Sequence, residues 1–168
     1  MTRPKAYLRA LAFLCLLASA APTSADQTQH THDASNNTVM IMAPWVRAAP
    51  PTARVMAGYV TLHNQSDGQR SLTGVSSPMF ERIEIHESYV EDGVSKMRQL
   101  IKLDIAPGKM VTLKPGGLHL MLIGPTAAAK RASQIDMTFA FEDGSTKTLK
   151  VNVLDRGDAM PTMQHQSH

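Results

Sequence analysis

Two imidazoles and two thioethers, His86, Met97, His119 and Met121, follow one another with the spacing H-x10-M-x21-H-x-M. Imidazole nitrogen ligates several transition metals, whereas thioether sulfur is a soft, neutral donor that favours Cu(I). Four such groups would fill the coordination sphere of one cuprous ion. With no open position and no evident base or nucleophile beside it, the set points to binding rather than to an enzyme. Thioethers need no deprotonation, but the imidazoles must be neutral to bind, so affinity should weaken as pH falls, histidines first. Taken singly, His86 or Met97 reads more simply as a surface histidine or a rim methionine. The four together favour the metal.

The elements that must position these residues read as strands. Segments near 80–90 and 94–104 flank Glu91-Asp92-Gly93, and Asp-Gly is a strong signal for a two-residue hairpin loop. In that register Glu91 pairs with Val94 and Met97 lies opposite Ser88, diagonal to His86 on the same face. Such diagonal neighbours are ~7–8 Å apart, within reach of long side chains. A register slipped by one residue would put Met97 on the other face. His119 and Met121 share a face by the pleat alone, with Leu118, Leu120 and Leu122 on the core side. Ile83 and Ile85 take the core parity of their strand, leaving His86 on the opposite one. The 21 residues between Met97 and His119 are not a local spacing, so whether the two halves meet is a matter for the fold.

Beyond the hairpin the texture is all-β. Further strands are expected near 38–46, 55–64, 70–76, 110–114, 118–123, 134–142 and 146–154, separated by Gly, Pro, Asn and Asp clusters. Only Ala127 to Ala132 suggests a helical turn. This predicts an antiparallel Greek-key β-sandwich. Trp45, Tyr59, Val60, Leu62, Phe139, Phe141, Val151 and Val153 are candidate core or core-rim residues. Met40, Met42, Met56, Met79, Met110 and Met137 sit among apolar neighbours and read as gap-fillers; His63 reads as a strand-end residue and a weak metal candidate.

The termini carry different information. Arg3, Lys5 and Arg9, then the apolar run Leu8 to Leu17, then Ala18-Ser19-Ala20 and Thr23-Ser24-Ala25 form a secretory signal over residues 1–25, with cleavage near residue 20 or 25. It is too short to serve as a stable membrane span, so export to the periplasm without membrane insertion is expected. Removing it takes the balance from 17 basic against 14 acidic residues to 14 against 14, which gives no electrostatic reason for nucleic-acid binding. The only cysteine, Cys15, leaves with it; Leu14 before it does not suit lipid attachment. The mature chain therefore has neither disulfides nor thiol redox chemistry. Residues 26–37 form a flexible polar lead-in, 38–155 the β domain, and 156–168 a polar tail.

The segment His86-Glu87, Gly93-Val94, Lys96-Met97-Arg98 and Lys114-Pro115-Gly116-Gly117-Leu118-His119-Leu120-Met121 closely resembles the PCu(A)C family of periplasmic copper chaperones, whose signature it matches at every position. The likeness continues through Pro44-Trp45-Val46-Arg47, Gly58 to Asn64 and Thr138 to Gly144. The resemblance implies a cupredoxin-like fold and a non-enzymatic Cu(I) chaperone, with His86, Met97, His119 and Met121 as ligands. It further implies delivery of copper for the CuA centre of cytochrome c oxidase. Its partners would be copper acceptors, namely the oxidase CuA-site subunit or a Sco-type thiol protein, met by a monomer.

In the tail, Met160, Met163, His165 and His168 form a possible second metal site, suited through imidazole to Cu(II), and His30 and His32 make a smaller pair. Two other functions stay open on the sequence. One is a periplasmic copper buffering or resistance protein using the same site. The other is a metal-free β-sandwich ligand-binding module.

Overall fold

The computed structural model describes residues 39–155. The expected signal peptide, the polar lead-in, and the tail with Met160, Met163, His165 and His168 all lie outside the described residues. So does the boundary at residue 38.

Ten strands form where β-branched and aromatic residues alternate with polar ones: β1 (Val39–Arg47), β2 (Val55–Asn64), β3 (Arg70–Ser76), β4 (Arg82–Glu91), β5 (Val94–Leu100), β6 (Leu103–Ile105), β7 (Met110–Leu113), β8 (Leu118–Ile123), β9 (Gln134–Phe141) and β10 (Thr146–Leu154). A short 3-10 turn at Ala129–Arg131 falls within the expected helical turn. One expected strand, 94–104, divides. Leu100 and Leu103 are both turned inward although they are three apart, which a period-two strand cannot do. The chain bends at Ile101, which is 93% exposed, and β6 then pairs with β3 instead of β4.

The strands run in the order β5-β4-β8-β2-β1-β10-β9-β3-β6, with β7 also on β2. Val75 of β3 pairs with Ile83 of β4, which closes the path upon itself as a sandwich around one core. Neighbours distant in sequence, such as β4 and β8 or β3 and β9, supply the Greek-key connections. Every ladder is antiparallel except β1 with β10, where Trp45, Val46 and Arg47 run parallel to Asn152, Val153 and Leu154. Leu62, Leu72, Ile105, Leu122 and Phe139 are fully buried at the centre. β1 carries one extra residue between Met42 and Trp45, where Ala43 takes a φ of 46°. That bulge puts Met42 and Trp45 on one face of the sheet despite their odd separation.

A polar corner lies on β3 and β6. The Ser71 hydroxyl donates to Asp104 Oδ1 at 2.7 Å, and Lys102 reaches both Asp104 and Glu142. Ser71 is the first cause holding both carboxyls below the ordinary carboxylate range, with Lys102 reinforcing it. Depressed carboxyls stabilise the fold above their unfolded values, near 3.8 and 4.5, and that stability is lost as pH falls through the lower folded values. Ser71→Ala should therefore raise the Asp104 titration midpoint in a carboxyl NMR titration and move acid unfolding to higher pH.

Candidate metal centre

The Asp92-Gly93 loop sets the hairpin. Asp92 and Gly93 take φ values of 52° and 75°, the left-handed conformation a two-residue turn requires, and Glu91 pairs with Val94. Ser88 therefore stands opposite Met97, which brings Met97 onto the face of His86. On its other side β4 pairs with β8, and here His86 lies directly opposite His119, while Glu84 lies opposite Met121. The two imidazole centroids are 5.8 Å apart with their planes tilted by 43°. Three strands thus present both histidines and both methionines on one side of the sheet.

The position of β8 depends on an offset along β2. β7 pairs with β2 as far as Leu113 with Val60, and β8 resumes at Leu120 with Gly58. The surplus residues form the turn Lys114-Pro115-Gly116-Gly117, in which Gly116 has a φ of 80°. This turn leans on β4, where Ser88 N–H donates to the Gly117 carbonyl at 3.2 Å. At Gly58 a Cβ would come within 3.1 Å of Leu122 Cδ1 and 3.3 Å of Leu120 Cβ, so glycine lets β8 approach closely.

The hydrogen bonds assign a tautomer to each ring. A carbonyl oxygen only accepts, so the 2.9 Å contact between His119 Nδ1 and Gly117 O places the proton on Nδ1 and leaves the Nε2 lone pair unspent. His86 is turned the other way. Its Nε2 donates to Glu84 Oε2 at 2.8 Å, and its Nδ1 is buried with no hydrogen-bond partner. A buried nitrogen lone pair without a donor is costly unless something else occupies it. Arg82 Nε donates to the second oxygen of Glu84 at 2.8 Å, and that bond, then the one from His86, holds the Glu84 carboxyl below the ordinary range. Glu84 was absent from the sequence candidates, although its i−2 position puts it on the same face as His86.

Met97, His119 and Met121, but not His86, line a groove of about 510 Å³ together with Arg47, Pro50 and Val55. His86 is the more sheltered member, its side chain 13% exposed, whereas Met97 is 53% exposed. Arg47 stacks over both Trp45 and Tyr59, 5.7 Å from each ring, which fixes a positive charge beside the groove. Among the described residues no three His, Cys, Asp or Glu side chains gather as a metal site. The donor set here is mixed nitrogen and thioether.

The LpqE-like family, described as putative lipoproteins, matches residues 39–153. The chain belongs to this family, which is of the PCuAC type. A relative, the putative lipoprotein Lxx21020 of Leifsonia xyli subsp. xyli, is 30% identical over 118 residues, 70% of each chain. Among solved structures, the apo PmoF2 PCuAC domain superposes with a TM-score of 0.60 at 26% identity, covering 74% of this chain and 95% of that one. The solution structure of CuI-DR1885 from Deinococcus radiodurans gives 0.52 at 28% identity, covering 69% and 78%. For this PCuAC chain, no helix among the described residues is long and apolar enough to cross a membrane.

Carboxylates behind ligating histidines orient the ring and raise its basicity, and their loss costs about 10–100-fold in metal affinity. If His86 ligates Cu(I), Glu84→Ala should produce a loss of that size in a Cu(I) competition titration, with one equivalent still bound at saturation.

Proposed function

We propose that this chain is an exported, non-enzymatic Cu(I) carrier, binding one ion through His86 Nδ1, His119 Nε2 and the sulfurs of Met97 and Met121. One observation carries the reading. The two histidines face each other across β4 and β8, each with one nitrogen already committed and the other unspent. Two thioethers lie on the same side, and such a neutral, soft donor set suits a monovalent cation. The copper-bound state named for DR1885 supports the same ion here.

The arrangement suits a carrier. Met97 is the exposed ligand on a hairpin edge, so it is the first to leave when a competing donor arrives. The groove beside it gives an incoming ligand access from the side of Arg47. Delivery in the periplasm for assembly of the CuA centre of cytochrome c oxidase follows, with the oxidase CuA-site subunit or a Sco-type thiol protein as acceptor. The tail residues Met160, Met163, His165 and His168 add a second site suited to Cu(II).

The test is anaerobic transfer. Protein loaded with one equivalent of Cu(I) is mixed with an apo CuA domain or a reduced Sco-type protein, and the copper on each is measured after separation. Movement to the acceptor faster than spontaneous dissociation into a chelator supports delivery. Retention against a thermodynamically stronger acceptor would leave storage as the function, and failure to bind one equivalent would remove the metal reading altogether.

A further inference from the structure

Three side chains outside the groove form a second row of soft donors. Met40 on β1 pairs directly with His63 on β2, and His63 pairs directly with Met110 on β7. Direct cross-strand partners share a face, so the three stand side by side on three adjacent strands with His63 in the middle. Asn64 N–H donates to Lys109 O at 3.0 Å, which makes Asn64 and Lys109 the hydrogen-bonded pair. His63 and Met110 are then the closer, non-bonded kind of pair, with Cα atoms about 4.5 Å apart. By the same alternation His63 points its own backbone groups at β1 and stands about 5.5 Å from Met40.

These methionines are not gap-fillers. Met40 is 41% exposed and Met110 54%, on the face opposite the core residues Val39, Leu62 and Leu113. No hydrogen bond from a described residue reaches the half-buried His63 ring, whereas His86 and His119 each have one nitrogen engaged. The strand end that carries it is held firmly. Asn64 is fully buried, its Nδ2 donating to Gly68 O and Ile105 O and its Oδ1 accepting from Ser66. Met42, two residues along β1 on the same face, offers a further thioether.

We propose that Met40, His63 and Met110 form a second binding site for a soft monovalent cation, Cu(I) or Ag(I). Two thioethers and one imidazole make an uncharged three-coordinate set, with no carboxylate to recruit a hard cation. The site lies on the same face of β2 as the groove. Ala57, the partner of Met121, is six residues from His63, or about 20 Å along the strand, too far for the two sites to share an ion.

The experiment uses the full chain with methyl-13C methionine and Ag(I) or anaerobic Cu(I) as the probe. Single Met→Leu variants, close in volume and so expected to fold, assign the Met40 and Met110 methyl signals. Both signals should shift together and saturate in the parent chain and equally in a His119→Ala/Met121→Leu variant, where the groove signals no longer respond. His63→Ala should abolish the paired shift with the unfolding midpoint retained, and Met40→Leu/Met110→Leu should lower bound metal by one equivalent. Met40 and Met110 signals that stay fixed while Met97 and Met121 saturate would overturn this site and leave the groove site standing. The reverse result would do the opposite.

Discussion

His119→Ala is expected to weaken Cu(I) binding by about 100-fold or more while leaving the fold nearly as stable as before. The expected loss exceeds the ~10–100-fold typical of an outer partner, because with the proposed ligand set a donor itself is removed. Stability should change little, because the ring is only half-buried and its single hydrogen bond goes to Gly117 O. That carbonyl keeps the Ser88 amide as a donor, so no buried acceptor is orphaned. A substitution of this kind falls within about 1 kcal/mol of the parent. Competition against a colorimetric Cu(I) chelator, with thermal unfolding of the apo protein alongside, checks both halves. An unchanged affinity would remove His119 from the ligand set.

The next residue along should behave in the opposite way. Leu120 is 1% exposed, faces the core and pairs with Ile85 on one side and Gly58 on the other. Leu120→Ala removes buried methyl groups and leaves a cavity, at a cost of about 2–5 kcal/mol. For a domain of this size that is a fall in Tm on the order of 10 °C. The donors His119 and Met121 remain, so the variant should still take up one Cu(I) equivalent at low temperature. Excess metal should then offset most or all of the lost stability, adding about 4 kcal/mol at a thousandfold excess over Kd. Neighbouring substitutions with opposite phenotypes are what strand alternation demands. If Leu120→Ala lost metal binding while keeping its Tm, the parity assigned to β8 would be wrong.

The same alternation explains how much was readable in one dimension. Strand positions followed from Val, Ile and Thr runs between Gly and Pro clusters, and the Asp92-Gly93 loop dictated that Met97 share a face with His86. What lay hidden were the pairings between distant segments. Nothing local says that His86 meets His119 rather than a residue two positions along, since 32 residues separate them. The parallel closure of β1 on β10 is equally non-local. The bend at Ile101 was legible in principle, because Leu100 and Leu103 cannot both face inward on one straight strand. Met40 and Met110 were misread for a different reason. An apolar neighbourhood in sequence marks a strand, but the face each methionine takes depends on register, and theirs is the outer one. His63 looked incidental until both of its cross-strand partners proved to be thioethers.

The Gly117 carbonyl accepts both the Ser88 amide and the His119 ring, and with the proposed ligand set this would give bound copper a mechanical role. Ion, imidazole and carbonyl would together clamp the hairpin to β8, as a covalent cross-link does in proteins that have cysteine pairs. The cargo would be a removable rivet. Amide hydrogen exchange at Ser88 should slow on loading and quicken on release, so an acceptor that stripped the copper would also loosen the hairpin that held it.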